Sequence, residues 1–168
     1  IRDSLNTARY DLIKEVKQLL NIPVIANGDI DGPEKAKFVL DYTGADAIMI
    51  GRAAQGRPWI FREIAHYLKT GEHLAAPNIA EVKQVLLGHL DELYQFYGEY
   101  SGCRIARKHI AWYTKGLRSS NEFRQNMYKV ETTHQQAKVV EAYFNQLLDQ
   151  GHIMSDVQIE QVDLLAIN

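Results

Sequence analysis

The sequence has 168 residues, a formal net charge of -2, 46% hydrophobic and 24% charged residues, a composition typical of one ordinary globular domain or two small ones. Its longest apolar runs are too short to span a membrane and it shows no secretory signal pattern, so we expect a cytoplasmic protein without membrane contact. A lone cysteine, Cys103, excludes an internal disulfide framework and fits a reducing compartment.

The first half of the chain alternates between helical and strand patterns. Residues 8–20 place apolar side chains at helical spacing, namely Leu12, Ile13, Val16, Leu19 and Leu20. The run "IPVIANGD" then predicts a strand that is buried on both faces and ends at Asn27-Gly28-Asp29.

A second helix and a second strand follow the same order. The stretch "DGPEKAKFVLDYTG" predicts a helix with Asp31 or Gly32 as its cap, Pro33 in its first turn and Gly44 as its end. The run "ADAIMI" predicts another buried strand, and "RPWIFREIAHYLKTG" predicts a third helix.

Strands that alternate with helices of this length indicate crossover units and a parallel sheet. Two strands cannot close a barrel or bury both of their faces, so this half of the fold is expected to be incomplete. The chain also begins at Ile1, in the middle of a pattern and without a methionine. We therefore expect a piece of a longer protein, one whose exposed strand edges favour self-association.

After the linker Gly71–Asn78 the pattern becomes purely helical, which predicts a small helical bundle and an overall class of α/β plus all-α. The stripe predicted within residues 79–97 consists of Val82, Leu86, Leu90, Leu93 and Tyr97. The stripe predicted within residues 134–149 consists of Val140, Tyr143, Phe144, Leu147 and Leu148.

The stretch "CRIARKHIAWYTKGLRSS" predicts a helix that is basic on one side and apolar on the other. The basic arc holds Arg104, Arg107, Lys108, Lys115 and Arg118, and the apolar arc holds Ile105, Ala106, Ile110, Trp112, Tyr113 and Leu117. No acidic residue occurs between Glu99 and Glu122, so the arc suits a polyanion, although an ordinary solvated face has the same pattern. His109 falls on the apolar arc and is therefore interpreted as a packing residue. Cys103, at the helix start, is also interpreted as a packing residue, since no spacing identifies a partner base for it.

Glycines that follow the two strands predict a ligand site. Gly28 and Gly51 would meet at the carboxyl ends of parallel strands, where α/β proteins bind their ligands. Arg52 and a short extra helix in "RAAQG" would add charge and backbone N–H groups, an arrangement that suits a phosphate. The alternative is a tight turn that carries a surface arginine.

Three stretches in this order, "IPVIANGDI", "GADAIMIGRAAQGRPWIF" and "RIARKHIAWYTKG", resemble the flavin-dependent tRNA-dihydrouridine synthases of bacteria, from residue 8 to about residue 147. Dihydroorotate and inosinate dehydrogenases share the strand that ends in glycine but not the middle stretch. The resemblance implies the last two βα units of an FMN-binding (β/α)8 barrel in residues 1–71, a tRNA-binding helical domain in residues 72–150, and an unassigned tail in residues 151–168.

The resemblance also implies roles for individual residues and a two-step reaction. The residues implied at the FMN phosphate and its surroundings are Asn27, Gly28, Asp29, Gly51 and Arg52, and the residues implied to face tRNA are Arg104, Arg107, Lys108, Lys115 and Arg118. In the family, NADPH reduces the flavin, which passes hydride to the 5,6 double bond of a uridine while a cysteine protonates the neighbouring carbon.

The sequence departs from the family at the catalytic centre. The family's cysteine lies in a barrel loop upstream of these residues, and Cys103 does not match it. We therefore expect no catalytic residue in this chain, weak FMN binding and no turnover by the chain alone. The alternatives are an FMN-dependent dehydrogenase of small molecules and a stand-alone RNA-binding module. The tail, which contains the strand-like "VQIEQV", would either pair with the open sheet edge or be disordered.

Overall fold

The computed structural model describes residues 9–152, and these divide into two compact units at the boundary between Ala75 and Ala76. The predictions for residues 1–8 and for the tail beyond His152, including "VQIEQV", lie outside these described residues. None of the helices within residues 9–152 combines the length and the apolar character needed to cross a membrane.

The first unit has the predicted alternation of helices and strands. Its elements are α1 (Tyr10–Leu19), β1 (Ile25–Asn27), α2 (Pro33–Thr43), β2 (Ala47–Met49), a 3-10 helix (Arg52–Ala54) and α3 (Ile60–Thr70). Gly32 rather than Asp31 caps α2, and Gly44 ends it in the left-handed conformation with φ 69°, which glycine adopts without a steric penalty. The short extra helix predicted after Gly51 is present.

The two strands pair in parallel, with Ile25 opposite Ala47 and Asn27 opposite Met49. Side chains from the three helices and the strands form one core on a single side of the sheet, made of Tyr10, Ala26, Ile30, Ala36, Val39, Ala45, Ile60 and Ile64. Both carboxyl ends of the strands therefore lie at the same edge of the sheet, beside this core.

The prediction that both strands are buried on both faces is wrong. Ala26 is fully buried, but Ile25 is 62% exposed and Met49 is 51% exposed. The predicted apolar stripe of α1 is also largely exposed, and Leu19 reaches 82%. Successive strand residues face opposite sides of a sheet, and among the described residues only one side is covered by helices.

The second unit consists of α4 (Ile79–Tyr113), α5 (Ser120–Met127) and α6 (Thr133–Asp149). Helix α4 breaks at Gly98, which has φ 75° and ψ 178°, a conformation that is essentially restricted to glycine. The break divides α4 into a first segment, residues 79–97, and a second segment, residues 99–113. A Cβ atom on Gly102 would lie 3.2 Å from the backbone of Tyr94, so glycine permits the two segments to approach closely.

The core of the second unit follows the predicted stripes with two corrections. The residues of these stripes that are buried are Val82, Leu86, Leu90, Val140, Tyr143, Phe144 and Leu147. Tyr97 and Leu148 are exposed, and Tyr94 instead reaches inward, where its hydroxyl donates to Gln136 Oε1 at 2.8 Å. Gln136 is fully buried and donates to the carbonyl oxygen of Cys103 at 3.1 Å, which satisfies its amide group inside the core.

Candidate functional site

The loops that follow β1 and β2 form an open groove of about 640 Å³ at the carboxyl edge of the sheet. The residues that line it are Asn27, Gly28, Asp29, Ile30, Asp31, Gly51, Arg52 and Ala53. All five residues that the sequence suggested for this region are therefore brought together. The parallel register of the strands is the cause, since it places both loops at one edge.

The first loop is held in an unusual backbone conformation. Gly28 has φ 138° and Asp29 has φ 45°, values that glycine adopts freely and aspartate adopts more readily than most residues. The Tyr10 hydroxyl donates to the carbonyl oxygen of Gly28 at 2.5 Å. Burial, followed by the charges of Asp29 and Asp31, raises the pKa of Tyr10, so the hydroxyl keeps its proton and continues to donate.

The second loop offers backbone donors beside open space. A Cβ atom on Gly51 would meet no other atom within 4 Å, so the backbone at this position is accessible from the groove. The 3-10 helix Arg52–Ala54 follows directly, and the first N–H groups of a helical turn have no partner within the turn. These donors fit an anionic oxygen, as in other sites where glycine precedes a helical turn.

The side chains of the groove carry both signs of charge. The Arg52 side chain is 88% exposed, and its Nη2 atom lies 3.3 Å from Asp29 Oδ1. Asp31 also lines the groove. Arg52 and the backbone N–H groups suit a phosphate, whereas the carboxylates suit hydroxyl hydrogens. The donor set therefore fits a ligand that combines a phosphate with hydroxyl groups, as FMN does.

Arg57 ties the first loop to α3, and sequence reasoning missed it. Its Nη1 donates to the carbonyl oxygen of Asp31 at 3.2 Å, and its Nη2 donates to Glu63 Oε2 at 2.6 Å. Glu63 is buried, and a buried carboxylate requires such a partner. The available signal was an acidic residue on the apolar side of the predicted third helix.

The predicted basic arc is divided between a helix and the turn that follows it. Helix α4 ends at Tyr113, and Gly116 has φ 79°, so Lys115 and Arg118 lie beyond the helix. The prediction of one continuous helix through Arg118 is wrong because the backbone turns at this glycine. Four of the five cations are nevertheless exposed, namely Arg104, Lys108, Lys115 and Arg118.

Arg107 is partly buried and makes a structural contact. Its Nη2 donates to the carbonyl oxygen of Val130 at 3.0 Å, and its buried Nε atom has no hydrogen-bond partner. Cys103 Sγ contacts the same carbonyl at 3.6 Å. Arg107 therefore holds the segment before α6 against the second segment of α4, which leaves fewer of its five donors for a ligand.

His109 and Cys103 both lie in packing positions, the first beside aromatic rings and the second buried. The His109 ring centroid lies 4.7 Å from that of His89 and 5.0 Å from that of Trp112. Burial lowers the pKa of His109 and raises that of Cys103, which disfavours the charged form of each. Within residues 9–152, no group of three or more His, Cys, Asp or Glu residues is placed to hold a metal ion.

Comparisons with known proteins give one consistent result. The family model described as dihydrouridine synthase (Dus) matches residues 2–148. The chain is 59% identical over 141 residues to tRNA-dihydrouridine synthase B of Shewanella oneidensis, a match that covers 84% of this chain and 44% of the relative. It is 57% identical over 138 residues to the protein of the same name from Vibrio vulnificus, covering 82% of this chain and 43% of the relative. The chain thus spans less than half the length of these relatives.

Proposed function

The chain belongs to the dihydrouridine synthase (Dus) family, and from this membership we propose that it forms part of an enzyme that reduces uridines in tRNA to 5,6-dihydrouridine with FMN and NADPH. The observation that carries the proposal is the groove at the carboxyl edge of the sheet, which gathers Asn27, Gly28, Asp29, Gly51 and Arg52. The substrate side of the proposal rests on the exposed cations of the second unit. Such an enzyme would act in the cytoplasm, where tRNA is found.

The fold of the first unit supports a place within a (β/α)8 barrel. We assign residues 1–71 to the last two βα units of such a barrel and residues 72–150 to a helical tRNA-binding domain. The exposed side chains of Ile25 and Met49 would then face the barrel interior, and further strands would pair with the open sheet edges. The groove would lie on the face of the barrel where active sites are built.

The groove residues would bind FMN through its phosphate and the adjoining hydroxyl groups. Gly51 and the first turn of the 3-10 helix would donate backbone N–H groups to the phosphate, and Arg52 would supply a positive charge. Asp29 and Asn27 would accept or donate hydrogen bonds at the hydroxyl groups. When bound, FMN supplies the hydride that reduces the uridine double bond, and NADPH provides the reducing equivalents.

We assign no proton donor for the reaction to this chain. Its single cysteine is buried in the helical unit, and burial raises the pKa of its thiol. A general acid must approach the atom that receives the proton, and Cys103 is only 1% exposed. The 168-residue chain alone is therefore expected to bind ligands without catalysing the reduction.

The second unit would bind tRNA through contacts to its phosphate groups. The exposed cations are Arg104, Lys108, Lys115 and Arg118. No Asp or Glu occurs among residues 100–121. The charged side chains of this stretch are therefore all positive, which favours binding to a polyanion. Contacts of this kind position an RNA independently of its sequence. A base that reacts with a flavin must be unstacked, and a separate unit that holds the backbone makes that displacement feasible.

A salt series with unfractionated tRNA tests this proposal on the 168-residue chain. We expect the variant Lys115→Ala plus Arg118→Ala to bind more weakly and to lower the slope of log K against log salt by about two. The matched control is Arg9→Ala plus Lys37→Ala, which removes two exposed cations of the first unit that pair with Asp11 and Asp41. Equal losses in both double variants, or no loss in either, would contradict the assignment of tRNA binding to the second unit.

A further inference from the structure

Exposed aromatic side chains surround the break in α4 at Gly98. Phe96 is 81% exposed and Tyr100 is 72% exposed. The Phe96 ring lies edge-on against Tyr97, with ring centroids 4.8 Å apart. Single exposed apolar residues are ordinary, but a cluster of large rings beside a fixed bend is a common mark of a binding surface.

Two cations follow an aromatic ring along one side of the second segment of α4. Tyr100, Arg104 and Lys108 follow one another at four-residue intervals, which places them along one side of the helix in steps of about 6 Å. The Arg104 guanidinium lies 5.1 Å from the Tyr100 ring centroid, and its Nη1 donates to the Tyr100 hydroxyl at 2.6 Å. These contacts hold the Tyr100 ring in a fixed direction while most of the residue stays exposed to solvent.

The acidic residue nearest to Tyr100 is already engaged elsewhere. Glu99 accepts hydrogen bonds from Thr133 N at 2.8 Å and from Thr133 Oγ1 at 2.7 Å, at the start of α6. These bonds lower the pKa of Glu99. Its negative charge stabilises the N-terminus of α6, and its carboxylate is directed toward Thr133.

We propose that Tyr100, Arg104 and Lys108, together with Phe96 on the other side of the break at Gly98, form an aromatic-cation stripe that binds an unpaired segment of RNA. The inference rests on the proposed tRNA-binding function and adds a chemical class of contact to it. Phe96 and Tyr100 stack on bases, and Arg104 and Lys108 hold the adjoining phosphates. Sequence-tolerant single-strand sites combine these two features, because every base has a flat face and every linkage has a charge.

The charge of the stripe favours RNA over a protein partner. Residues 100–121 contain cations but no Asp or Glu, a one-sided charge that suits the phosphate backbone of a nucleic acid. A duplex would use the cations but not the rings, because its bases are stacked within the helix. The stripe is therefore specific for RNA whose bases are accessible.

The test measures the binding of a labelled oligouridylate and of a labelled RNA duplex to the 168-residue chain by fluorescence anisotropy. We expect Phe96→Leu plus Tyr100→Leu to weaken oligouridylate binding about five-fold or more, as the loss of base stacking predicts. Duplex binding and the salt slope should stay unchanged, since no phosphate contact is lost. Tyr100→Phe should keep the affinity, and Phe61→Leu serves as a control at an exposed phenylalanine of α3.

The outcomes separate this inference from the proposed function. If wild-type protein binds tRNA with a steep salt dependence while the double leucine variant binds oligouridylate normally, the stripe is not a stacking surface and the tRNA-binding proposal stands. If Tyr100→Phe loses as much affinity as the double leucine variant, the hydroxyl bond to Arg104 is the determinant and base stacking is refuted. If the wild-type chain binds neither tRNA nor oligouridylate, the proposed function fails together with the stripe. An equal loss of duplex affinity would also overturn it.

Discussion

Arg52 is the exposed cation of the groove, and we propose that it contacts the phosphate of FMN. Replacing it with alanine removes the guanidinium from the phosphate position while the backbone donors of Gly51 and the 3-10 helix remain. We expect Arg52→Ala to weaken FMN binding about five- to ten-fold, in line with the loss of one charge-assisted hydrogen bond. Quenching of FMN fluorescence measures this, with inorganic phosphate as a competitor and Arg9→Ala as a control.

Asp29→Asn provides the opposite test at the same ion pair. Asparagine tolerates the φ of 45° at this position, so the change removes a charge with little effect on the loop. If Asp29 competes with the ligand phosphate for Arg52, inorganic phosphate should bind Asp29→Asn more tightly than wild-type protein. Tighter phosphate binding by Arg52→Ala would contradict this description of the groove.

The pair His89 and His109 makes the second unit sensitive to acid. Burial is the main factor that lowers the pKa of each histidine below 6.5, and the neighbouring charge of His89 adds to the effect on His109. The unfolded chain therefore binds more protons than the folded chain near and below pH 6.5, so the free energy of unfolding decreases as the pH falls through this range. Above the ordinary pKa the stabilisation is complete.

Urea unfolding at several pH values, followed by helical circular dichroism, checks this prediction. The variant His89→Gln plus His109→Gln should show a flatter dependence of stability on pH below about 6.5. His134→Gln removes an exposed histidine from the same unit and should keep the wild-type dependence. An unchanged pH profile in the double variant would refute the role of the pair.

Gly98 and Gly88 provide a matched test at the scale of the helix. Gly98 has φ 75° and ψ 178°, so Gly98→Ala should lower the free energy of unfolding by about 1–3 kcal/mol. Gly88 lies in the regular, exposed part of α4, where a Cβ would meet nothing within 4 Å. Gly88→Ala should raise the free energy of unfolding by about 0.5–1 kcal/mol.

Urea unfolding measures both alanine variants. If both variants changed the free energy of unfolding by the same amount and in the same direction, the backbone conformation of Gly98 would not be what fixes the break. A stabilising effect of Gly98→Ala would further indicate that α4 continues straight through this position. Both results would contradict the description of α4 as two segments.

Local sequence patterns were sufficient to predict most helices and strands, but not which parts of the protein bury their side chains. The bounds of α2 could be predicted because helix periodicity, Pro33 and Gly44 are local signals, each of which affects only the few residues around it. The burial of Ile25 depends on what lies across the sheet, and its strand pattern carries no such information. Similarly, the left-handed Gly116 ends the basic helix early, a signal that was present in the sequence but was outweighed by periodicity.

The candidate site was predictable where it depends on strand ends and unpredictable where it depends on distant contacts. Gly28 follows the end of β1 and Gly51 lies two residues beyond the end of β2, so a parallel sheet brings them together. The contact between Arg57 and Glu63, and the one between Arg107 and the Val130 carbonyl, join separate elements through single side chains. Neither contact follows a sequence spacing, and the second changes Arg107 from an exposed cation into a packing residue.

Exposed apolar surface on the first unit leads to a prediction about the whole molecule. The exposed residues of α1, of β1 and β2, and of the segment that connects α1 to β1 are Leu12, Val16, Leu19, Leu20, Ile22, Ile25 and Met49. Surface of this kind, beside unpaired strand edges, drives association. We expect light scattering to show dimers or larger species at tens of micromolar.

Lysine substitutions test whether this surface is responsible. Leu19→Lys plus Ile25→Lys should shift the chain toward monomer, while Leu68→Lys, at an exposed leucine of α3, should not. A wild-type chain that is monomeric at these concentrations would refute the prediction. If Leu68→Lys dissociated the oligomer as much as the double variant does, the contact between chains would not lie specifically at the exposed residues of α1 and β1.

The central claim is that the helical unit of this chain binds tRNA. Ultraviolet cross-linking with mass spectrometric mapping tests this claim most directly. Zero-length cross-links report which side chains contact the RNA without any substitution. We expect cross-linked peptides within residues 96–118, at the aromatic-cation stripe and the cations that follow it. Cross-links confined to the first unit, or none above the level of a denatured control, would contradict the account.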